Sequence, residues 1–425
     1  MNPPVFFLLV DAIPHGLAHE VWAEGGLHGF REPRPVVSVF PSLTEVAVPA
    51  LLSEIFPERP PGYEARYYHP PSREVRGGLH ESGSGAATAP YRARPRGAIA
   101  QAGIYLLRAR LAEAQIRWIN HRFAHEGGPW LGYLSATDGV GHFDGRASLV
   151  EAFRDIAASV HAVRSESLRR NGVWPGVVLC SDHGMSFGPL EHLSEAALAD
   201  ELRRGGFPTG HSAEEGVVLV PHGEVGGGVV HCRAERAAEV ALVVSQAPGV
   251  ELVCSRTGDG CMVFGGSGRR GRARVRWRGD ALRYECLDGD PLEYAPLWRE
   301  LERDGRLRDG WADDRELFRR SLGHRFPDAL ARLRRGLEDL VRFPAPVLFS
   351  MRDGWTYGPA LTHAGARMMG GQRGTHGALS REQSLGFAAV TDDGSDPWAG
   401  AQALRPEDVF RPWREWVRAG SAESP

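Results

Sequence analysis

Val177 to Gly188 reads VVLCSDHGMSFG. Apolar and small residues run straight into Asp182, His183 and Gly184. The run has the composition of a buried strand, and its polar end has two readings. Asp and Gly are ordinary turn residues. An acid beside a histidine is also half of a metal site. Similar runs recur at Val5 to Val10, Trp130 to Leu134, Pro346 to Ser350 and Leu385 to Val390. Stretches with helical spacing lie between several of them, such as Ala98 to Phe123 and Ala147 to Arg169. Short buried strands alternating with helices predict an α/β chain with a mostly parallel central sheet sandwiched by helices. Such a sheet gathers its sites at the carboxyl ends of its strands.

The pattern changes between Glu191 and Asp313, where shorter, Gly-punctuated strands are expected at Gly216 to Val220, Gly227 to His231, Glu251 to Ser255, Cys261 to Gly265 and Arg272 to Arg278. This predicts a smaller α+β subdomain, 191–313, inserted into a catalytic core made of 1–190 and 314–425. Helical spacing returns at Asp314 to Arg342. Ser72 to Gly97, rich in Gly, Ser, Pro and Arg, reads as a long surface loop. The basic cluster Gly266 to Gly279 reads as a solvated hairpin.

Bulk properties exclude several classes. The chain has 425 residues and a net charge of −3, so neither nucleic acid nor an anionic membrane is favoured. All 50 basic residues are arginine, which fits GC-rich coding and also suits oxyanion contact. Five cysteines without a CxxC pair imply reduced thiols and a cytoplasmic protein. The opening MNPPVFFLLVDAIPHG lacks a basic n-region, and its apolar run is too short for a leader or a membrane span. Oligomeric state is not legible.

Polar residues follow the core runs in a consistent way. Asp11 ends the first, Thr44 opens a helical run after Pro35 to Phe40, and Asp138 and His142 follow the Trp130 run in ATDGVGH. Asp182 and His183 end the Val177 run, and His376 stands in GTHG just before the last one. Each alone has a plain structural reading. Asp11 and Thr44 are potential helix caps. Asp138 and His142 suit a polar loop, since two glycines between them argue against a plain helix pair, and His376 suits a hydrogen-bonded loop. Together, three carboxylates, three histidines and one hydroxyl suffice for two adjacent divalent ions, with Thr44 as a nucleophile at a helix N-terminus.

LLVDAI, VFPSLTEVAVPALLSEIFPE, TDGVGH, LCSDHGMS and RGTHG together resemble the alkaline phosphatase superfamily, nearest its type I phosphodiesterase/nucleotide pyrophosphatase branch. The resemblance implies an alkaline-phosphatase-like fold. It implies one ion held by Asp138, His142 and His376, and a second held by Asp11, Thr44, Asp182 and His183. Zinc is the usual metal of the branch, and manganese serves phosphoglycerate-mutase relatives. The register of VFPSLT implies Thr44 rather than Ser42 as nucleophile, with a covalent phosphoryl or nucleotidyl intermediate. The chain departs from the pattern at Ala47, where the branch often has Asn, and at Glu45, where an aromatic is common. The acid weakly favours a diester over a dianionic monoester. The expectation is a two-metal-dependent hydrolase of small-molecule phosphate esters, specifically a phosphodiesterase or nucleotide pyrophosphatase. Alternatives on the same scaffold are a phosphomonoesterase, a phosphonate hydrolase, a phosphotransferase, or a silent metal-containing binding protein. Specificity is expected from the 72–97 loop and the insertion. Tyr91 and Trp355 are stacking candidates, each with core packing or plain surface exposure as the stronger reading, and no substrate-binding residue is assigned.

Overall fold

The computed structural model describes residues 5–78, 108–126, 130–221, 223–268 and 271–415. Most of the 72–97 loop, with Tyr91, and the start of the Ala98 to Phe123 stretch lie outside the described residues. The chain is mixed α/β. One sheet has five strands: β1 (Val5–Val10), β2 (Arg34–Val37), β3 (Trp130–Leu134), β4 (Gly176–Cys180) and β5 (Leu385–Val390), in the spatial order β2-β5-β4-β1-β3. β1 pairs in parallel with β3 and β4.

The side-chain alternation of a strand explains the continuous apolar run of β1. Phe6, Leu8 and Val10 pack with residues of helices His15–Ala23, Arg108–Glu126 and Gly145–Asn171. Phe7 and Leu9 point the other way, onto Val48 and Leu51 of helix Thr44–Leu51, the following Leu52, and Val409 and Phe410. Both faces are buried, so no polar alternation appears in the sequence.

The sheet is mixed rather than wholly parallel, because β5 runs antiparallel to both β4 and β2. This changes how the rim is built. His376 precedes its strand instead of following it, and in a parallel strand that would place it at the opposite edge. The reversal of β5 brings its start beside the end of β4, with Ser181 N donating to Phe387 O at 2.8 Å.

A second sheet has nine strands, all antiparallel, running from Leu307–Arg308 at one edge to Val218–Leu219 at the other. By strand number this is the larger sheet. The apolar run from Pro346, expected among the strands of the first sheet, instead forms Val347–Met351 and sits between Gly227–His231 and Val250–Thr257. Periodicity cannot separate the two locations, since a strand buried on both faces looks alike in either sheet. The basic cluster begins in the turn between two antiparallel strands, Gly260–Gly265 and Arg272–Arg278. No helix among the described residues is long and apolar enough to cross a membrane.

Candidate functional site

Asp11 follows the last residue of β1, and Asp182 and His183 follow β4 after one serine. These adjacent parallel strands deliver the three residues to one point. Ala12 N donates to Asp182 Oδ1 at 3.3 Å and Ile13 N to Ser181 Oγ at 2.9 Å. The two strand ends are thereby tied together. His183 Nε2 lies 3.6 Å from Asp11 Oδ1 and 3.4 Å from Asp182 Oδ2.

Thr44 opens helix Thr44–Leu51, but the N-cap is Leu43, and no side chain caps this end. The Thr44 hydroxyl is turned instead into the site. It stands 3.3 Å from Asp11 Oδ1 and 3.2 Å from His183 Nε2. Its place in the first turn puts it at the positive end of the helix dipole.

Asp138 and His142 lie on helix Ala136–Phe143, four residues apart, with Oδ1 and Nε2 separated by 3.2 Å. The loop suggested by two glycines does not occur. Gly141 lies in this helix for a packing reason: a Cβ there would stand 2.6 Å from Met185 Sδ and 2.9 Å from its Cε. His376 completes the group, with Nε2 at 3.4 Å from Asp138 Oδ1. Asp138, His142 and His376 form one set of close donors, and Asp11, Asp182 and His183 another. The His183 and His376 rings stack between them with centroids 4.0 Å apart. All seven residues named from the sequence therefore meet at one rim.

The surroundings suit cation binding. Each histidine fixes its Nδ1 on a backbone carbonyl: His142 on Gly374 at 2.8 Å, His183 on Gly184 at 2.9 Å and His376 on Ser42 at 2.9 Å. An Nδ1–H donated to a carbonyl leaves the Nε2 lone pair facing the carboxylates, the tautomer a metal needs. Asp138 Oδ1 and Asp182 Oδ2 are buried with no hydrogen-bond donor. Such orphaned acceptors are costly unless something cationic meets them. Burial pushes the Asp182 carboxyl up to about 7, while Ala12 N and His376 oppose it. Burial also acts to raise Asp138, but His142 and His376 hold it well below the usual carboxylate range. Burial keeps His183 neutral, its basicity well below that of a free imidazole.

A cleft of about 260 Å³ opens over the site. Its described lining includes Asp11, Glu45, Glu64, Asp138 and Glu224 and contains no arginine. Trp355 does not line it; its ring packs against Gly249, where a Cβ would fall 2.2 Å from the indole.

Several supporting residues carry no sequence signal. The Tyr133 hydroxyl donates to Asp11 Oδ2. Gln372 Nε2 lies 3.3 Å from His142 Nδ1 and donates to Glu224 O at 3.1 Å. Ser42, the rejected alternative nucleophile, is fully buried and ties the His376 segment in place, donating to Ala378 O at 3.1 Å.

No protein-family model matches the chain, and no curated protein sequence matches it. Solved structures do. Phosphonoacetate hydrolase from Sinorhizobium meliloti 1021, in complex with phosphonoformate, is similar with a TM-score of 0.50 at 13% identity, covering 98% of this chain and 95% of that one. Murine ectonucleotide pyrophosphatase/phosphodiesterase 5 gives a TM-score of 0.49 at 12% identity, covering 97% and 95%. The fold expected of the chain, that of the alkaline phosphatase superfamily, is the fold it shares with the phosphonoacetate hydrolase.

Proposed function

We propose that the chain is a two-metal-dependent hydrolase of small-molecule phosphate esters, with phosphodiesters, nucleotide pyrophosphates included, as its substrate class. The observation that carries this is the Thr44 hydroxyl lying against one of two adjacent sets of buried carboxylate and imidazole donors, at a helix N-terminus, under an open cleft.

The residues fit the ions, because each donor set contains a buried carboxylate oxygen that faces imidazole Nε2 atoms 3.2–3.4 Å away without a hydrogen bond. Asp138, His142 and His376 would hold one ion, and Asp11, Asp182 and His183 with Thr44 the other. Two such ions, zinc or manganese, supply Lewis acidity and neutralise charge at a reacting phosphoryl group. The Thr44 hydroxyl donates to Asp11 Oδ1, and the nearby His183 Nε2 helps to orient it. Thr44 Oγ1 forms a bond to phosphorus, the ester P–O bond breaks, and the alcohol leaves. Water then displaces Thr44 from phosphorus and regenerates the hydroxyl. The helix N-terminus behind Thr44 favours the anionic group at each stage.

Glu45 and Glu64 along the cleft disfavour a dianionic monoester relative to a monoanionic diester. We also propose the cytoplasm as the compartment, supported by five cysteines none of which is paired.

The test is hydrolysis of an aryl phosphodiester. Thr44→Ala should lower kcat/KM at least about a thousandfold, equivalent to ~4 kcal/mol of barrier. A chelator should abolish the wild-type rate, and added zinc or manganese should restore it. Wild-type activity in Thr44→Ala, or a rate indifferent to chelation, overturns the proposal.

A further inference from the structure

Beside the cleft lies a further group of donors that the proposed reaction does not use. His192 is on strand Glu191–Ser194, Glu224 is in the segment before Gly227–His231, and His363 is on helix Ala360–Met368. The three come within ligand-forming distance of one another. We propose that His192, Glu224 and His363 form a third cation site, which takes a divalent transition-metal ion of the zinc type.

Two imidazoles converge on one carboxylate oxygen, one at a separation found in the two principal sets and one closer. His363 Nδ1 lies 2.7 Å and His192 Nδ1 3.3 Å from Glu224 Oε1. Donor separations in the principal sets run from 3.2 Å to 3.6 Å. The two imidazoles stack nearly flat, at 6° with centroids 4.1 Å apart, which presents both Nδ1 atoms to the same carboxylate. Strand pairing sets this up: Thr356 lies opposite His192 in register and donates to Glu224 Oε1 at 3.0 Å.

Hydrogen bonding alone leaves the group unbalanced. Oε1 receives every contact, while Oε2 of the same carboxylate is buried without a partner. Glu224 is 95% buried, its relative exposure being 5%. His192 Nε2 also lacks a partner, so no second bond commits its ring to carrying the proton at Nδ1. Two imidazoles and one carboxylate are a donor set that zinc accepts with a coordination position left open. The His363 side chain is 32% exposed, so that position can reach solvent.

The third site touches the first through one side chain. Gln372 Nε2 contacts both Glu224 O and His142 Nδ1. A cation here would offset the negative lining of the cleft close to a bound phosphate ester.

The test is metal counting on the full chain, loaded with excess zinc chloride and desalted, with anomalous scattering at the zinc edge on crystals of the same protein. Wild type should hold three equivalents and His363→Ala two, with the anomalous peak lost only between His192 and Glu224. His192→Ala should repeat that loss. Asp138→Ala should keep the peak at the third site. Two equivalents in wild type with no peak at His192 and Glu224, or an unchanged count in both His variants, would overturn the inference and leave a hydrogen-bonded trio only. A peak at this site with none at Asp138 or Asp182 would sustain it while defeating the proposed reaction.

Discussion

The Tyr133 hydroxyl sits behind Asp11, on the carboxylate oxygen that Thr44 does not use. Removing such an outer partner costs roughly 10–100-fold in metal affinity or activity in other metal sites. Tyr133→Phe is expected to lose that much in zinc affinity, read by competition with a chromophoric chelator, while Thr44→Ala loses turnover and keeps its metal better. The seven principal residues were legible because each sits in a short local string against a strand end or helix start. Tyr133 was not, since a tyrosine in an apolar run reads as core. His192 and His363 were not either: they lie far apart in sequence, and their meeting depends on the pairing of Glu191–Ser194 with Trp355–Gly358.

At the scale of elements, two glycines do different work. A Cβ at Gly141 meets the flexible end of Met185. A Cβ at Gly184 meets backbone, with Glu382 O at 2.3 Å and Leu385 O at 2.8 Å. Side-chain ends can swing aside, whereas a packed backbone cannot. Gly184→Ala should therefore destabilise by about 3 kcal/mol or more and Gly141→Ala by about 1 kcal/mol, both read by urea unfolding. Equal losses would show that the Gly184 turn yields. The helix over Ala136–Phe143 was illegible for the same reason. Local propensity counts Gly139 and Gly141 against a helix, while close packing on Met185 favours at least the second.

At the scale of the whole molecule, the charge of the cleft sets substrate choice. The lining glutamates outside the proposed ion sites, Glu45 and Glu64, should give aryl diesters a kcat/KM advantage of about tenfold or more over the matching monoesters, or ~1.4 kcal/mol. A monoester preference measured across pH 6–9 would refute this. The core strands and their helices were readable from hydrophobic periodicity. The direction of β5 and the sheet that Val347–Met351 joins were not, because pairing partners are chosen across hundreds of residues and leave no local mark.

The reversed β5 has a consequence for synthesis. The ribosome makes Asp11 first and His376 last, 365 residues later. At about 5–20 residues per second, roughly 20–70 s separate them. β1 emerges with its two neighbours still unmade, and β2 waits longest for β5. A nascent chain stalled before the GTHG segment lacks both a strand of the central sheet and the last donor to Asp138. Ion capture between Asp138 and His376 therefore reports that translation has passed the end of the site.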